Sequence, residues 1–435
     1  MKNKYLGEGL SIFQWFIFLL ANSIALPIVI GGAFQLSADE IASLMQRVFF
    51  VVGISSFIQG WIGHRLPLAD GPAGSWVSIF VILADISIQQ GQAARDALPL
   101  LESGVIVAGV ILLVLGSLGV VQKILFLFTP LVTGSFLLLL ALQLSGVFLE
   151  GMLAVSEDTL RPDYGMALIS FGVFALIILM SNKGRGWVKS YAVLIGILIG
   201  WGLALLTGKA SIYAATNTSV MSLPKMFAWG LPELNAGMIV TAILFTFLLI
   251  ANTIAAVTAV QQNVEQGTKG LDKTINRGIF AGGLSHFLSG GMSTIAVVPL
   301  PVTAGFIQIT GQKRKSPFLF AAILLALLAL LPSIVHILAL LPGPIANGAL
   351  MASFINMIGI ALKSISQDPL TERRLTILGI TFLISIGLMF LPDGVFATLP
   401  AIMQYVVNNG LLVGTIIVIL LEQLWKEPNI NQASS

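Results

Sequence analysis

Long apolar runs recur along the whole chain and are separated by short polar segments. A helix of about 20 apolar residues is long enough to cross the hydrocarbon core of a bilayer. The apolar runs lie near residues 10–33, 43–62, 68–87, 103–121, 124–148, 165–181, 189–207, 236–259, 276–291, 293–310, 317–340, 342–362, 374–391 and 398–421. The pattern predicts an all-α polytopic membrane protein with 14 transmembrane spans.

The composition agrees with this interpretation. Hydrophobic residues make up 57% of the 435 residues, whereas only 9% are charged. About a quarter of the residues are charged in an ordinary soluble domain. A water-soluble fold could not bury so large an apolar fraction, so the composition favours a protein embedded in lipid.

The distribution of basic residues predicts the orientation. With the N-terminus in the cytoplasm and alternating spans, 17 of the 22 Lys and Arg residues fall on the cytoplasmic side and 5 on the other. The five on the outer side are Arg47, Arg95, Arg161, Lys209 and Lys225. Cytoplasmic loops carry an excess of Lys and Arg in membrane proteins. An even number of spans, with both termini cytoplasmic, is therefore expected.

Several functional classes are disfavoured. The chain has no cysteine, which excludes disulfides and thiolate metal sites. Its three histidines, His64, His286 and His336, lie far apart in the sequence, so no metal site and no cofactor are expected. The net charge of +3 is small and the basic residues lie in short loops, which indicates membrane topology rather than nucleic-acid binding.

Two of the spans contain closely spaced prolines that interrupt a helix. The third span begins with LPLADGPAGSW (residues 66–76), and the tenth contains STIAVVPLPVTAG (residues 293–305). Span five begins with Pro-x-x-x-Gly at 130–134 and span twelve with the same pattern at 344–348. Both correspondences are seven spans apart, which predicts two inverted seven-span repeats. Interrupted spans at matching positions indicate a binding site near the bilayer midplane.

Ordered motifs along the chain resemble the nucleobase–cation symporter-2 family, also called nucleobase–ascorbate transporters, which contains uracil, xanthine and uric acid permeases. The motifs are LSIFQ (10–14) and PIVIG (27–31) in span one, FIQGWIGHRLP (57–67) at the end of span two, KGRG (183–186) and GLPE (230–233). The resemblance extends from the first span to the last.

The resemblance implies a core domain and a gate domain, each formed from both halves of the chain. The core would comprise residues 1–122 and 231–341, the gate residues 123–230 and 342–425, with a cytoplasmic tail at 426–435. Spans three and ten would each contribute a short strand, and the substrate would lie between these strands and span eight. The resemblance also implies a homodimer built through the gate domain.

The site expected from the resemblance is lined by residues of spans three, eight and ten. These residues are Gly74, Ser75, Trp76, Asn252, Thr253, Pro301, Val302 and Thr303. Trp76 could stack on a planar base or could serve as packing. Thr303 could contact the ligand or satisfy interrupted backbone.

The chain departs from the family pattern at its acidic residues. Proton-coupled members carry glutamates in spans eight and ten, where this sequence has Asn252 and Val302. An amide can hydrogen-bond a base but cannot titrate. The remaining candidates for ion coupling are Asp70, which could equally be a helix cap, and Asp85, which could simply face water at the outer end of span three.

These features predict a plasma (inner) membrane permease for a purine or pyrimidine base, or a similar planar heterocycle. Transport would proceed by alternating access, either coupled to a proton or sodium ion or facilitative. One alternative is a different small substrate on the same fold, with sodium coupling or none. Another is a non-transporting receptor or scaffold derived from a permease. An enzyme is not expected, since the spans carry no nucleophile–base pair or metal set.

Overall fold

The computed structural model describes most of the chain. The described residues are 2–89, 91–123, 125–155, 161–213, 220–264, 270–392 and 409–425, with isolated positions between 395 and 407. The tail expected at 426–435 lies outside them, and so do the side chains of Asp85 and of residues 2–6.

The described residues are mainly helical. The helices of the first half are α1 (Lys2–Ala33), α2 (Ala38–Trp61), α3 (Gly74–Gln89), α4 (Leu98–Leu118), α5 (Pro130–Leu153), α6 (Tyr164–Lys183), α7 (Trp187–Ser190) and α8 (Ala192–Leu206). Those of the second half are α9 (Ala236–Val264), α10 (Leu271–Gly291), α11 (Val302–Thr310), α12 (Lys315–Leu328), α13 (Pro332–Ala339), α14 (Gly343–Ile365), α15 (Glu372–Met389) and α16 (Gly410–Leu424). Strand β1 (Asp70–Pro72) lies between α2 and α3, and β2 (Val297–Pro299) between α10 and α11.

Local chemistry sets several helix ends. Ser37 and Glu40 form a capping box at the start of α2, in which Ser37 N donates to Glu40 Oε2 at 2.7 Å. Helix α5 begins at Pro130 behind the N-cap residue Thr129, and α4 ends at Gly119 with φ 63°. Proline at a first turn and glycine in the left-handed region are the residues that these positions favour.

Seven of the described helices are each long and apolar enough to cross a membrane, namely the helical segments at Gly7–Ala33, Ala38–Trp61, Ala94–Leu118, Pro130–Leu153, Tyr164–Lys183, Ala236–Val264 and Gly343–Ile365. If α12 and α13 together form one bent span, the number of such spans among the described residues is eight. Helices α8 and α16 are apolar but shorter. Multiple apolar helices are thus observed, whereas the number 14 stays a prediction.

The span predicted at residues 317–340 is divided into two helices in the structure. Helix α12 ends at Leu328, and α13 starts at Pro332 after a bend of 90°. Pro332 has no backbone N–H to donate to residue 328 and its ring disfavours helical geometry in the residue before it, so the helix stops there. Arg47, which was counted among the outer loop charges, lies within α2 and is buried.

Glycines allow close packing between the two halves of the chain. Gly116 and Gly283 bring α4 and α10 together, because a Cβ on Gly116 would lie 2.5 Å from Phe280 N and one on Gly283 would lie 2.6 Å from Leu113 N. Gly53 of α2 faces the backbone of α12 in the same manner. Small residues at helix contacts let backbones approach within a membrane.

Replacing Gly53 with alanine is expected to destabilise the protein by about 1–3 kcal/mol through overpacking. The added Cβ would lie 2.6 Å from both Ala322 O and Ala326 N, which are backbone atoms that cannot rotate aside. The measurement is the apparent melting temperature of the purified protein in detergent. Gly359→Ala in α14 is the matched control, because no atom of the described residues beyond the neighbouring turns of α14 lies within 4 Å of its Cβ position. Equal melting temperatures for both variants would contradict this packing of α2 on α12.

Candidate functional site

Strands β1 and β2 form a two-stranded antiparallel sheet where the two interrupted segments meet. Asp70 pairs with Pro299, Gly71 with Val298 and Pro72 with Val297. Flanking bonds extend the pairing, since Ala73 N donates to Ala296 O and Leu300 N to Ala69 O, each at 2.8 Å. The short strands expected in these segments are therefore present. Each is followed almost at once by a helix, α3 or α11, whose first N–H groups carry partial positive charge.

Asn252 of α9 contacts the end of β2. Its Nδ2 donates to Pro299 O at 2.9 Å, and the side chain is half-buried. An amide has two N–H donors and an acceptor oxygen, so the Pro299 bond leaves Oδ1 and one N–H to interact with a ligand. The structure thus brings Asn252 of span eight together with the β2 strand, a juxtaposition that the family resemblance implied.

Thr253 points away from this contact. It is buried, its Oγ1 donates to Leu249 O at 2.9 Å, and its methyl group lies 3.6 Å from the Cβ position of Gly278 in α10. The side chain therefore packs between α9 and α10, on a different face from Asn252. The structure does not bring Thr253 to the strands through its hydroxyl group.

The remaining predicted residues lie at the starts of α3 and α11. Gly74, Ser75 and Pro301 are partly exposed, and Val302 is 46% exposed. Thr303 is fully buried, and its Oγ1 has no hydrogen-bond partner within the described part of the chain. The two helix starts thus present accessible backbone and small side chains beside the paired strands.

Trp76 is fully buried rather than open at the strands. Its Nε1 donates to His286 Nε2 at 3.3 Å, and its ring lies 4.9 Å from that of Phe245 with an interplanar angle of 56°. His286 Nδ1 in turn donates to Gly282 O at 2.9 Å. This arrangement favours the packing alternative for Trp76. His286 was not predicted as the partner of Trp76, although a histidine in a glycine-rich apolar run was a possible signal.

Asp70 is 1% exposed, which is unusual for a carboxyl group. Its backbone N donates to Ser56 Oγ at 3.0 Å, but neither carboxyl oxygen has a hydrogen-bond partner among the described residues. The Ser285 hydroxyl lies beside the carboxyl group and donates its own proton to Ala281 O at 3.1 Å. The hydroxyl can therefore accept a hydrogen bond from a protonated Asp70, or rotate away from Ala281 O and donate to a carboxylate.

The two histidines nearest to this sheet carry no charge in this arrangement. His286 Nε2 accepts from Trp76, and His64 Nδ1 accepts from Leu66 N at 3.1 Å. A doubly protonated imidazole has no acceptor nitrogen. Neither histidine can then balance a negative charge on Asp70, and none of the described ion pairs includes Asp70.

A second buried acid, Glu102 of α4, was missed at the sequence level. Glu102 Oε2 accepts from Ser293 Oγ at 3.0 Å, and Ser293 Oγ accepts from Trp229 N at 3.3 Å. The Arg47 guanidinium lies 5.7 Å from the centre of the Trp229 ring. This network joins α2, α4 and the segment before α9 to the turn that leads into β2. Glu102 was not predicted as a functional residue because it directly precedes the span predicted at 103–121, where acidic residues commonly face water.

Comparison with known proteins adds three findings. The sequence model of the permease family matches residues 9–394. The putative purine permease YwdJ of Bacillus subtilis is 33% identical over 426 residues, covering 96% of each chain, and the xanthine permease of the same organism is 23% identical over 427 residues, covering 97% of this chain and 94% of that one. The transmembrane domain of the cyanobacterial bicarbonate transporter BicA has the same fold, with a TM-score of 0.60 at 13% identity, covering 94% of this chain and 96% of that one.

Proposed function

This chain belongs to the permease family of nucleobase–ascorbate transporters, and from this premise we propose that it carries a nucleobase across a membrane. Purine and xanthine are the substrates in the names of its relatives, so a purine or a similar planar heterocycle is the first choice and a pyrimidine the second. These relatives are permeases rather than enzymes.

The Asn252–Pro299 hydrogen bond is the observation that carries the assignment of the site. It fixes a half-buried amide of α9 against the paired strands, next to the first residues of α3 and α11. The remaining Oδ1 and N–H of Asn252 match a base edge, on which donors and acceptors alternate. We include Gly74, Ser75, Pro301 and Val302 in this site because their side chains or backbone are accessible beside the strands.

Fourteen spans in two inverted seven-span repeats are the architecture that we propose. The helix contacts support this architecture, because each contact between two spans has a counterpart between the spans seven positions away in the other half of the chain. Helix α4 packs on α9 and α10, and the bent span at α12 packs likewise on α1 and α2. Helix α6 packs on α8, and α15 packs on α16. Helices α1–α4 and α9–α13 would form the core, and α5–α8 and α14–α16 the gate, which move against each other in alternating access.

The excess of Lys and Arg in alternate loops supports cytoplasmic termini in the plasma (inner) membrane. With that orientation, α3 runs from the midplane toward the outside, and α11 runs from the midplane toward the cytoplasm. A homodimer through the gate helices stays a proposal that rests on family resemblance.

Asp70 is the residue to which we assign ion coupling. Its side chain is buried beside the strands and faces no cation among the residues that the structure describes, so a proton is the simplest partner that can neutralise it. A sodium ion is the second choice. Asp85 lies farther along α3, and its assignment as a coupling residue stays a prediction from the sequence.

Uptake of radiolabelled bases into cells that lack their own base permeases tests the function. We expect saturable uptake of at least one purine, measured with hypoxanthine, xanthine, uric acid and uracil at two external pH values, with and without sodium. Cells that carry the empty vector are the control. If the protein reaches the membrane but none of these bases is taken up above that control, the nucleobase assignment is wrong, and another small substrate or a receptor role takes its place.

A further inference from the structure

The turn between α10 and β2 is held by a buried acid from another helix. Helix α10 ends at Gly291 and β2 begins at Val297. Between them Ser293 has a φ of 46°, a left-handed conformation that a residue with a side chain keeps only when its surroundings enforce it. Its hydroxyl donates to Glu102 Oε2 at 3.0 Å, and Glu102 lies fully buried near the start of α4. This hydrogen bond therefore secures a strained turn from the side of α4.

The segment before α9 contacts the same turn. Trp229 N donates to Ser293 Oγ at 3.3 Å, and Phe227 N donates to Gly291 O at 3.0 Å. The buried Ser293 hydroxyl thus acts as acceptor from Trp229 and as donor to Glu102 at the same time. A change at position 293 or 102 would remove the link between α4, this turn and the segment before α9.

The charge of Glu102 is balanced by Arg47 of α2 without direct contact. The Arg47 and Glu102 side chains are 3% and 0% exposed and attract each other electrostatically. None of the described ion pairs includes either residue. Arg47 Nε and Glu102 Oε1 are buried without a hydrogen-bond partner in the described part of the chain. Because buried charges are costly and such a pair adds little stability, stability alone does not account for an acid at position 102.

The turn leads directly into the proposed substrate site. Residues 294–296 connect Ser293 to β2, and the carbonyl at the end of that strand, Pro299 O, accepts the hydrogen bond from Asn252. Strands β1 and β2 have three residues each, and a two-stranded pair is only marginally stable by itself. The position of Pro299 O therefore depends on how the turn before β2 is anchored.

We propose that Glu102 is a positioning residue for transport, which fixes the turn before β2 through Ser293 and so holds Pro299 and Asn252 in the geometry that binds the base. This inference rests on the proposed function. Arg47 supplies the opposite charge that the buried carboxylate requires. Glu102 does not touch the substrate in this arrangement, so its loss should weaken binding of the base more than it slows the movement of the loaded protein.

Substitutions at positions 102 and 293 test this role in the uptake assay. Glu102→Ala and Ser293→Ala are each expected to raise KM about tenfold with little change in Vmax, the effect of one lost hydrogen bond to a charged group. The double variant should raise KM no further, because both changes remove the same bond. Glu102→Gln keeps an oxygen for Ser293 and should retain a near-native KM. Ser289→Ala is the matched control, since Ser289 is equally buried but its hydroxyl donates to Ser285 O of its own helix at 2.8 Å.

The value of KM separates positioning from mere structural support. Structural support alone would lower the melting temperature and the amount of protein in the membrane but leave KM unchanged in Glu102→Ala, and that result would overturn the proposal. Effects on KM that add in the double variant would also overturn it, because the two residues would then act independently.

The melting temperature tests the pairing with Arg47. Glu102→Gln leaves the Arg47 charge buried without its opposite, so we expect a lower melting temperature although KM stays near native. Adding Arg47→Gln should restore part of that loss. A double variant no more stable than Glu102→Gln would overturn the charge balance between these two residues.

Disulfide formation between the strands reports the position of β2 without transport, because the native chain contains no cysteine. Pro72 and Val297 pair across the sheet, and the backbone hydrogen bond next to them joins Ala73 to Ala296. Pro72 and Val297 are thus a non-hydrogen-bonded pair, whose Cα atoms are about 4.5 Å apart and within reach of a disulfide. The Pro72→Cys/Val297→Cys variant is oxidised with copper phenanthroline in membranes, and the cross-linked fraction is measured by its loss of maleimide labelling.

Cross-linking should be fast in this variant and slower when Glu102→Ala or Ser293→Ala is added. Ser289→Ala should leave the rate unchanged. Equal rates in all four proteins, or no cross-linking in any, overturn the proposal while leaving the function intact. Absence of base uptake by the native protein is a failure of the function itself.

Discussion

Replacing Asn252 with alanine is expected to lower Vmax/KM for base uptake by about 10- to 100-fold, the effect of one or two lost hydrogen bonds to buried groups. The substitution removes the donor to Pro299 O and the amide that would meet the base. Both losses affect the proposed substrate site, because the hydrogen bond between α9 and β2 lies where the substrate would bind. The measurement is concentration-dependent uptake of the preferred base.

Asn263→Ala is the matched control for this substitution. Asn263 lies on the same helix, is also half-buried, and its Nδ2 donates to Ala259 O at 2.8 Å within its own helix. We expect that variant to keep native uptake. If both variants transport equally well, Asn252 does not line the site. Asn252→Glu, which restores the carboxylate of the family pattern, should then also leave the affinity and pH profile unchanged, whereas our site predicts that it alters one of them.

Replacing Asp70 with asparagine is expected to abolish accumulation of base against a gradient while exchange of base across the membrane continues. One pH unit is worth about 1.4 kcal/mol, so it can drive about tenfold accumulation when one proton moves with each base. Asparagine has nearly the shape of a protonated aspartic acid but cannot release a proton. The buried position tolerates a neutral group, because none of the described ion pairs gives the Asp70 carboxyl group a cationic partner.

The test compares accumulation and counterflow in membrane vesicles with an imposed pH gradient. In the native protein, accumulation should rise as the external side is acidified, and in Asp70→Asn it should be flat across the same range. Asp272→Asn, an exposed acid in the first turn of α10, is the control and should behave as the native protein does. Accumulation by Asp70→Asn with a native pH profile would contradict the assignment. If accumulation by the native protein depends on the sodium gradient and not on the pH gradient, the coupling ion is sodium and not a proton.

The fold was largely predictable because its strongest signals are local. Runs of apolar residues had to become helices in order to satisfy their backbone groups within lipid. Closely spaced prolines had to interrupt two of those runs, and the strands occur there, at 70–72 and 297–299. The bend before Pro332 was missed, since a single proline in an apolar run does not distinguish a kinked span from a broken one.

The candidate site was predictable only in part. Asn252 could be placed opposite the tenth span by resemblance, and the structure gives it a partner on that strand. Trp76 could not be assigned, because the decision between stacking and packing depended on Phe245 and on His286, which lies 210 residues away. Glu102 was not predicted at all. It has no local pattern that distinguishes it from other residues at the edge of an apolar run.

The sequence by itself determined that this chain is a polytopic helical membrane protein, that two of its spans are interrupted, and that residues 236–259 and 293–310, its predicted spans eight and ten, contain no acid. These properties follow from hydropathy, proline chemistry and residue identity, which act over a few neighbours. The tertiary structure alone decided which buried groups meet. It pairs Asp70 with Pro299 in the two-stranded sheet and joins Trp76 to His286 by a hydrogen bond. It also places the Phe354 ring next to Gly74. Such contacts join residues separated by roughly half the chain, and only close packing of helices in three dimensions selects among them.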